Sequence, residues 1–209
     1  MLFLTPGWDH ELFVLINQGL RSSLLDALMP AVSWPVWIWL GLAIGLAWLV
    51  KNKGWRKAWP VLAVGAAVLL ANATCDLLKD QAGRVRPLNA LAGTNYHEDG
   101  EWRQRPAGFA AKDQTGSSYP SSHAANAMAF AVVVMAFWPA GRRFLWLVPL
   151  LAGYSRVYLG KHYPTDVLAG WLTGLATALL VLAVLALLSR NQASGSSWPS
   201  SAARARKRR

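Results

Sequence analysis

Val167–Leu188, VLAGWLTGLATALLVLAVLALL, runs for 22 residues without a charge. A stretch of that length and composition crosses the hydrocarbon of a bilayer as a helix, because only internal hydrogen bonding satisfies a backbone in lipid. Four earlier runs repeat the apolar pattern, roughly Pro35–Val50, Ala58–Leu78, Ser121–Pro139 and Phe144–Leu159. The whole chain agrees: 209 residues, 54% hydrophobic and 15% charged, with a mean hydropathy of +0.26, are too apolar for an ordinary soluble domain. All but one of the connections are short, so consecutive helices are expected to be antiparallel neighbours. The expected fold is therefore all-α, a polytopic membrane helix bundle.

The first 33 residues are read differently. Trp8–Leu20 places Leu12, Phe13, Leu15 and Ile16 among Asp9, His10, Glu11 and Asn17, the pattern of an amphipathic interfacial helix. Ser22–Trp34 is apolar but short, a sixth span or a re-entrant segment, so the bundle is expected to hold five to six transmembrane helices. No arginine-led leader or cleavage site marks a removable signal peptide. Residues 1–190 read as one membrane domain and 191–209 (NQASGSSWPSSAARARKRR) as a disordered basic tail. Neither an internal repeat nor a strand-like alternation is apparent. Cys75 lies alone in an apolar run and reads as packing. Trp34, Trp37, Trp55, Trp59, Trp138 and Trp146 stand near span ends, where the indole ring anchors at the headgroups.

A net charge of +11 raises nucleic acid as a partner, but the distribution of that charge argues against it. Lys51, Lys53, Arg56 and Lys57 share one loop, Arg142 and Arg143 another, and Arg204, Arg206, Lys207, Arg208 and Arg209 the tail. With five alternating spans, all three clusters fall on one side. The positive-inside rule makes that side cytoplasmic, with the tail drawn to anionic lipid, and places the Gln81–Tyr119 loop and the Arg156–Asp166 turn on the outer face.

The chemistry gathers on that outer face in three stretches. Lys79–Pro87 (KDQAGRVRP) presents Lys79, Arg84 and Arg86 at a span end before Pro87, which is expected to stop any return to helix. Arginine offers a planar fork to phosphate oxygens and lysine a compact point charge. Basic residues also snorkel at span ends, yet unneeded ones are disfavoured on the outer side. Pro120–His123 (PSSH) carries helix-start signals, and free backbone N–H groups there bind anions. His123 falls in the first turn, where its imidazole can protonate a departing oxygen. In Ser155–Asp166 (SRVYLGKHYPTD), Asp166 follows His162 by four residues, a spacing that lets the carboxylate accept one imidazole proton and leave the other nitrogen as nucleophile. Arg156 would hold the equatorial oxygens of a transferring phosphoryl group. A metal site built from His97, Asp99, His123, His162 and Asp166 is the competing reading. Cations beside it would repel the ion and favour phosphate instead, so neither metal nor other cofactor is expected.

In order and spacing the three stretches resemble the type 2 phosphatidic acid phosphatase superfamily. Its pattern is Lys, six residues, Arg-Pro; then Pro-Ser-Gly-His; then Ser-Arg, five residues, His, three residues, Asp. Lys79 with Arg86-Pro87, Pro120-Ser121-Ser122-His123, and Ser155-Arg156 with His162 and Asp166 match it, with Ser122 where the family most often has Gly. The resemblance implies a metal-independent phosphatase in which His162 is the nucleophile, Asp166 orients it and His123 is the general acid. It also implies that Lys79, Arg86 and Arg156 bind phosphate, with backbone N–H groups added by Ser121, Ser122 and His123.

The Asp9–Asn17 and Ser155–Gly160 segments look most like bacterial undecaprenyl-diphosphate phosphatases of that superfamily. The expected activity is hydrolysis of a lipid phosphate or diphosphate, most simply undecaprenyl diphosphate, at the outer face of the bacterial cytoplasmic membrane. Phosphatidylglycerophosphate, phosphatidate or lipid A phosphate share that headgroup chemistry. A phosphotransferase acting on a second lipid and a non-catalytic lipid-binding scaffold are the other readings, and oligomeric state is not legible. The Gln81–Tyr119 loop is read equally as a cover for the pocket, with Trp102 and Phe109 to test, or as a solvated connector. As a solvent-facing turn residue, His162 is expected to tolerate replacement by Ala without unfolding.

Overall fold

The structure, a computed structural model, describes residues 5–34, 36–111 and 116–195. In chain order the helices are α1 (Gly7–Val14), α2 (Ser23–Val32), α3 (Val36–Lys53), α4 (Trp59–Ala82), α5 (Pro87–Ala90), α6 (Ser122–Phe137), α7 (Arg142–Leu145), α8 (Leu147–Tyr158) and α9 (Pro164–Gly195). All five apolar runs are thus helical. Their ends follow local rules. Pro60 opens α4, and Gly83, left-handed at φ 59°, closes it with its N–H on the Lys79 carbonyl at 3.1 Å. Ser121 caps α6, its Oγ accepting from the Ala124 N–H at 3.5 Å.

The core lies where α4, α6 and α9 meet through small side chains. Ala67, Ala71, Ala125, Ala129 and Ala178 are fully buried there, and a Cβ on Gly174 would collide with the Ala125 carbonyl. Such close backbone approach is how helices associate when the surroundings are as apolar as their side chains. Leu62, Leu69, Leu77, Leu172 and Leu179 instead point outward, each more than half exposed, in an apolar belt suited to lipid. Among the described residues, the helices around α4 and α9 are long and apolar enough to cross a membrane, with mean hydropathies of 1.9 and 2.4 over their best windows. The α2–α3 pair, bent by 53°, adds a third candidate as a broken span or a re-entrant pair. α6, at 16 residues, spans about 24 Å at the helical rise and falls short of the hydrocarbon thickness. The run Phe144–Leu159 is interrupted at Trp146 between α7 and α8.

Several expectations need correction. The Gln81–Tyr119 connection contains an antiparallel hairpin, β1 (Asn95–Glu98) and β2 (Glu101–Gln104), with Asn95 opposite Gln104. Its strands are only four residues long, too short for alternation to show. Pro87 opens the one-turn α5 rather than ending helix, because a proline at the first helical position lacks only an N–H that would have no partner anyway. α1 turns an unexpected face inward: Asp9, Phe13 and, in the π-helical turn Leu15–Gly19, Asn17 are fully buried, while Trp8, Leu12 and Leu15 project outward. α9 continues to Gly195, five residues past the expected domain boundary, and the remainder of the expected tail, 196–209, lies outside the described residues.

The hairpin is fixed to the bundle, which decides where the long connection between α4 and α6 sits. Asn17 Nδ2 donates to the carbonyls of Asn95 and Tyr158, both at 2.8 Å, and its Oδ1 accepts from the Asn95 N–H at 2.9 Å. Trp102 donates from Nε1 to the Asp26 carbonyl at 3.0 Å and meets Tyr158 edge-on, with ring centroids 5.8 Å apart. Gly160, at φ 71°, lets β1 approach the turn after α8, since a Cβ there would lie 2.5 Å from the Asn95 carbonyl.

Candidate active site

Three helix ends converge beneath that hairpin. The last turn of α4 supplies Lys79, the extended residue before α5 supplies Arg86, the first turn of α6 supplies Ser122 and His123, and the end of α8 with its turn supplies Arg156 and His162. These six side chains line one cavity of about 520 Å³, walled on its apolar side by residues including Ile38, Val68 and Leu69, and among the described residues no carboxylate lines it. Lys79 Nζ donates to Ser122 Oγ at 2.5 Å and to Asp76 Oδ1 at 2.9 Å. Arg156 is held from the far side, Nη1 donating to Ser33 Oγ at 2.5 Å at the break between α2 and α3. The Nε atoms of Arg86 and Arg156 are buried donors with no hydrogen-bond partner among the described residues. Buried donors are nearly always satisfied, so two of them at one cavity fit a site made for an anion. Burial also lowers the pKa of the Arg86 guanidinium, and that of the Lys161 ammonium, which further feels Arg156 and Arg86.

His162 is buried, 2% exposed, which overturns its expected solvent-facing position. The reason is the hairpin and the 118–120 segment that cover its turn. Its Nδ1 lies 2.7 Å from the Ser118 carbonyl and 3.7 Å from Asp166 Oδ2. A carbonyl only accepts, so Nδ1 carries the proton and Nε2 keeps its lone pair. Burial, with the positive fields of Arg156 and Arg86 and against the pull of Asp166, pushes the imidazole down to about 4. The ring is therefore neutral at neutral pH.

Asp166 was expected to take the imidazole proton directly, and its closest bonds lie elsewhere. Its Oδ2 accepts from Ser118 Oγ at 2.5 Å and from the Tyr163 N–H at 2.8 Å, and its Oδ1 accepts from Arg84 Nη1 at 2.5 Å. Asp166 thus reaches His162 by charge and through Ser118, whose hydroxyl and carbonyl join the two. Ser121 is also differently placed. It does not line the cavity, its hydroxyl caps α6, and its N–H donates to the Asp166 carbonyl at 2.9 Å. The amides available to an anion at the start of α6 are those of Ser122 and His123, which have no carbonyl four residues back within the helix. His97 and Asp99, considered for a metal, sit on and beside the hairpin, with His97 packed edge-on against Trp102. Trp102 likewise packs on α2 and α8 rather than on the cavity, and Phe109 stacks on Arg105 at 4.8 Å.

Sequence reasoning missed Ser33, Ser118 and Asp9. The first two leave no signal, since an isolated serine near a span end is unremarkable. Asp9 had one: a carboxylate stands four residues before Phe13 and eight before Asn17 on a single helical face. The amphipathic pattern counts it only as one polar residue of an interfacial helix, whereas it is fully buried and paired with Arg84 at 2.6 Å.

Comparison with known proteins identifies the family of the chain. The chain matches the PAP2 superfamily over residues 60–190. A lipid A 4'-phosphatase of Bacteroides thetaiotaomicron is 30% identical over 178 residues, covering 79% of this chain and 72% of the relative. An undecaprenyl-diphosphatase of Sulfolobus acidocaldarius is 30% identical over 174 residues, covering 80% and 74%. Among solved structures, that of Aquifex aeolicus LpxE superposes with a TM-score of 0.67 at 26% identity, covering 87% of this chain and 99% of the other. The match takes in the cavity's basic residues, both histidines and the three helix ends that carry them, and the chain belongs to the PAP2 superfamily and is a phosphatase.

Proposed function

We propose that this phosphatase hydrolyses a lipid phosphate or diphosphate, with undecaprenyl diphosphate giving undecaprenyl phosphate as the favoured reaction. The observation that carries the reading is one cavity in which three cations and two histidines meet beside an apolar wall. His162 Nε2 attacks phosphorus, the bond from phosphorus to the leaving oxygen breaks, and His123 gives that oxygen its proton. Water then attacks the phosphohistidine, His123 takes back a proton, and the phosphorus–nitrogen bond breaks to release phosphate and restore His162. Lys79, Arg86, Arg156 and the first amides of α6 hold the equatorial oxygens through both steps. Every group in this scheme comes from the chain, so no metal is needed.

Positive clusters at Lys51–Lys57 and Arg142–Arg143 support an orientation with those loops cytoplasmic and the cavity at the outer face of the cytoplasmic membrane. Substrate preference is tested by phosphate release from detergent-solubilised protein in excess chelator. Undecaprenyl diphosphate, a lipid A phosphate, phosphatidylglycerophosphate and phosphatidate are compared at equal surface concentration. Faster turnover of undecaprenyl diphosphate supports the proposal; faster turnover of the lipid A phosphate transfers the same chemistry to the second reading, which the Bacteroides relative favours.

A further inference from the structure

Behind the cavity lies a buried chain of charges drawn from three distant parts of the sequence. Arg84, in the turn after α4, donates from Nη2 to Asp9 Oδ2 at 2.6 Å and from Nη1 to Asp166 Oδ1 at 2.5 Å. All three side chains are at most 2% exposed, and the Tyr163 ring stacks on the guanidinium at 3.9 Å. Asp9 also grips the start of α9. Its Oδ1 accepts from the Thr165 N–H at 2.9 Å and its Oδ2 from the Thr165 hydroxyl at 2.6 Å. The helix that carries Asp166 is thus capped from α1, more than 150 residues away in sequence.

We propose that Asp9 is a positioning residue for phosphoryl transfer: by neutralising Arg84 it leaves Asp166 with its negative charge directed at His162. The inference rests on His162 being the nucleophile. When Nε2 bonds to phosphorus while Nδ1 keeps its proton, the imidazole gains positive charge in a place already bordered by Arg86 and Arg156. Asp166 is the nearby anion that opposes them, with Oδ2 at 3.7 Å. Arg84, bonded to the other oxygen of the same carboxylate, would cancel that anion if it stood alone. With Asp9 the trio carries one net negative charge; without it the trio is neutral and the developing imidazolium loses its counter-charge.

The charge argument separates this role from a merely structural one. Asp9→Asn keeps the size of the side chain and one of its two acceptor oxygens but takes Asp9's charge away from Arg84, whereas Asp9→Asn with Arg84→Gln removes both charges and restores the net negative charge on Asp166. Phosphate release from undecaprenyl diphosphate in detergent micelles is measured for wild type, both variants and Asp9→Glu, with His162→Gln as a control. Asp9→Asn is expected to lower kcat at least about tenfold with KM changed less than about twofold, the double variant to recover at least about fivefold of that loss, and Asp9→Glu, which keeps the charge but not the length, to lose less than Asp9→Asn. A double variant no faster than the single one overturns the proposal, because a structural role makes the losses add. Should Asp9→Asn fail to fold, the double variant decides alone: kcat within about tenfold of wild type supports the proposal, and a greater loss overturns it. Release that survives His162→Gln instead refutes the phosphohistidine reading, a failure distinct from that of Asp9.

Discussion

As the proposed nucleophile His162 must stay neutral, and its surroundings secure this at some cost in acid. Its pKa in the fold, about 4, lies below the unfolded value of 6.5, so the unfolded chain binds more protons between those limits. Stability from this group is therefore fully present above about pH 6.5 and declines as pH falls towards 4. The acid limb of kcat/KM for the free enzyme is expected near pH 4, not 6.5, and a limb at the ordinary histidine value would contradict the buried, cation-flanked setting. Because His162 is buried on the Ser118 carbonyl, Ala is a poor probe of its chemistry: it leaves a void and an unpaired acceptor. His162→Gln is the better test, with turnover expected to fall at least about a thousandfold while the detergent melting curve moves little. Arg156→Lys should lose at least about tenfold in kcat, since a point charge replaces a fork that meets Ser33 and, in the proposed scheme, a phosphoryl oxygen.

At the scale of elements, the turn from Gly160 to Asp166 is set by backbone rather than by side chains. Gly160→Ala would force a left-handed conformation on a residue with a Cβ and drive that carbon against the Asn95 carbonyl, so about 1–2 kcal/mol of stability should be lost. Activity should fall by more than that destabilisation explains at a temperature where the protein is still folded, because the same turn carries His162. The helices were legible from their apolar runs, and Lys79, Arg86, His123, Arg156 and His162 from their residue types and from motif spacings that resemble a known family; that they line one cavity is what the structure adds. The hairpin, the inward face of α1 and the Ser118 link were not legible. Each depends on contacts between segments far apart in sequence, such as Asn17 with Asn95 and Tyr158, that no local pattern encodes. Asp166 illustrates the limit well: its four-residue spacing from His162 was visible, but not that Arg84 and Ser118 would claim its oxygens first.

For the whole molecule, the apolar belt and the long helices α4 and α9 make this a membrane protein, and its sidedness is testable on the native scaffold. Cys75 is fully buried, so cysteines introduced at exposed Asp99 and Arg143 can be labelled over a low background. Asp99→Cys should react with an impermeant maleimide on intact cells and Arg143→Cys only after permeabilisation; the reverse result would invert the orientation. The dispersal of the active site along the chain carries one more consequence. Asp9, Arg84 and His123 all precede in the chain the turn that carries His162 and Asp166, and that turn opens α9. A chain inserted into the membrane from its N-terminus therefore holds an unfinished site until α9 docks. A chain released before α9 is made is expected to be silent rather than partly active, so catalysis would switch on in one step with the arrival of that helix.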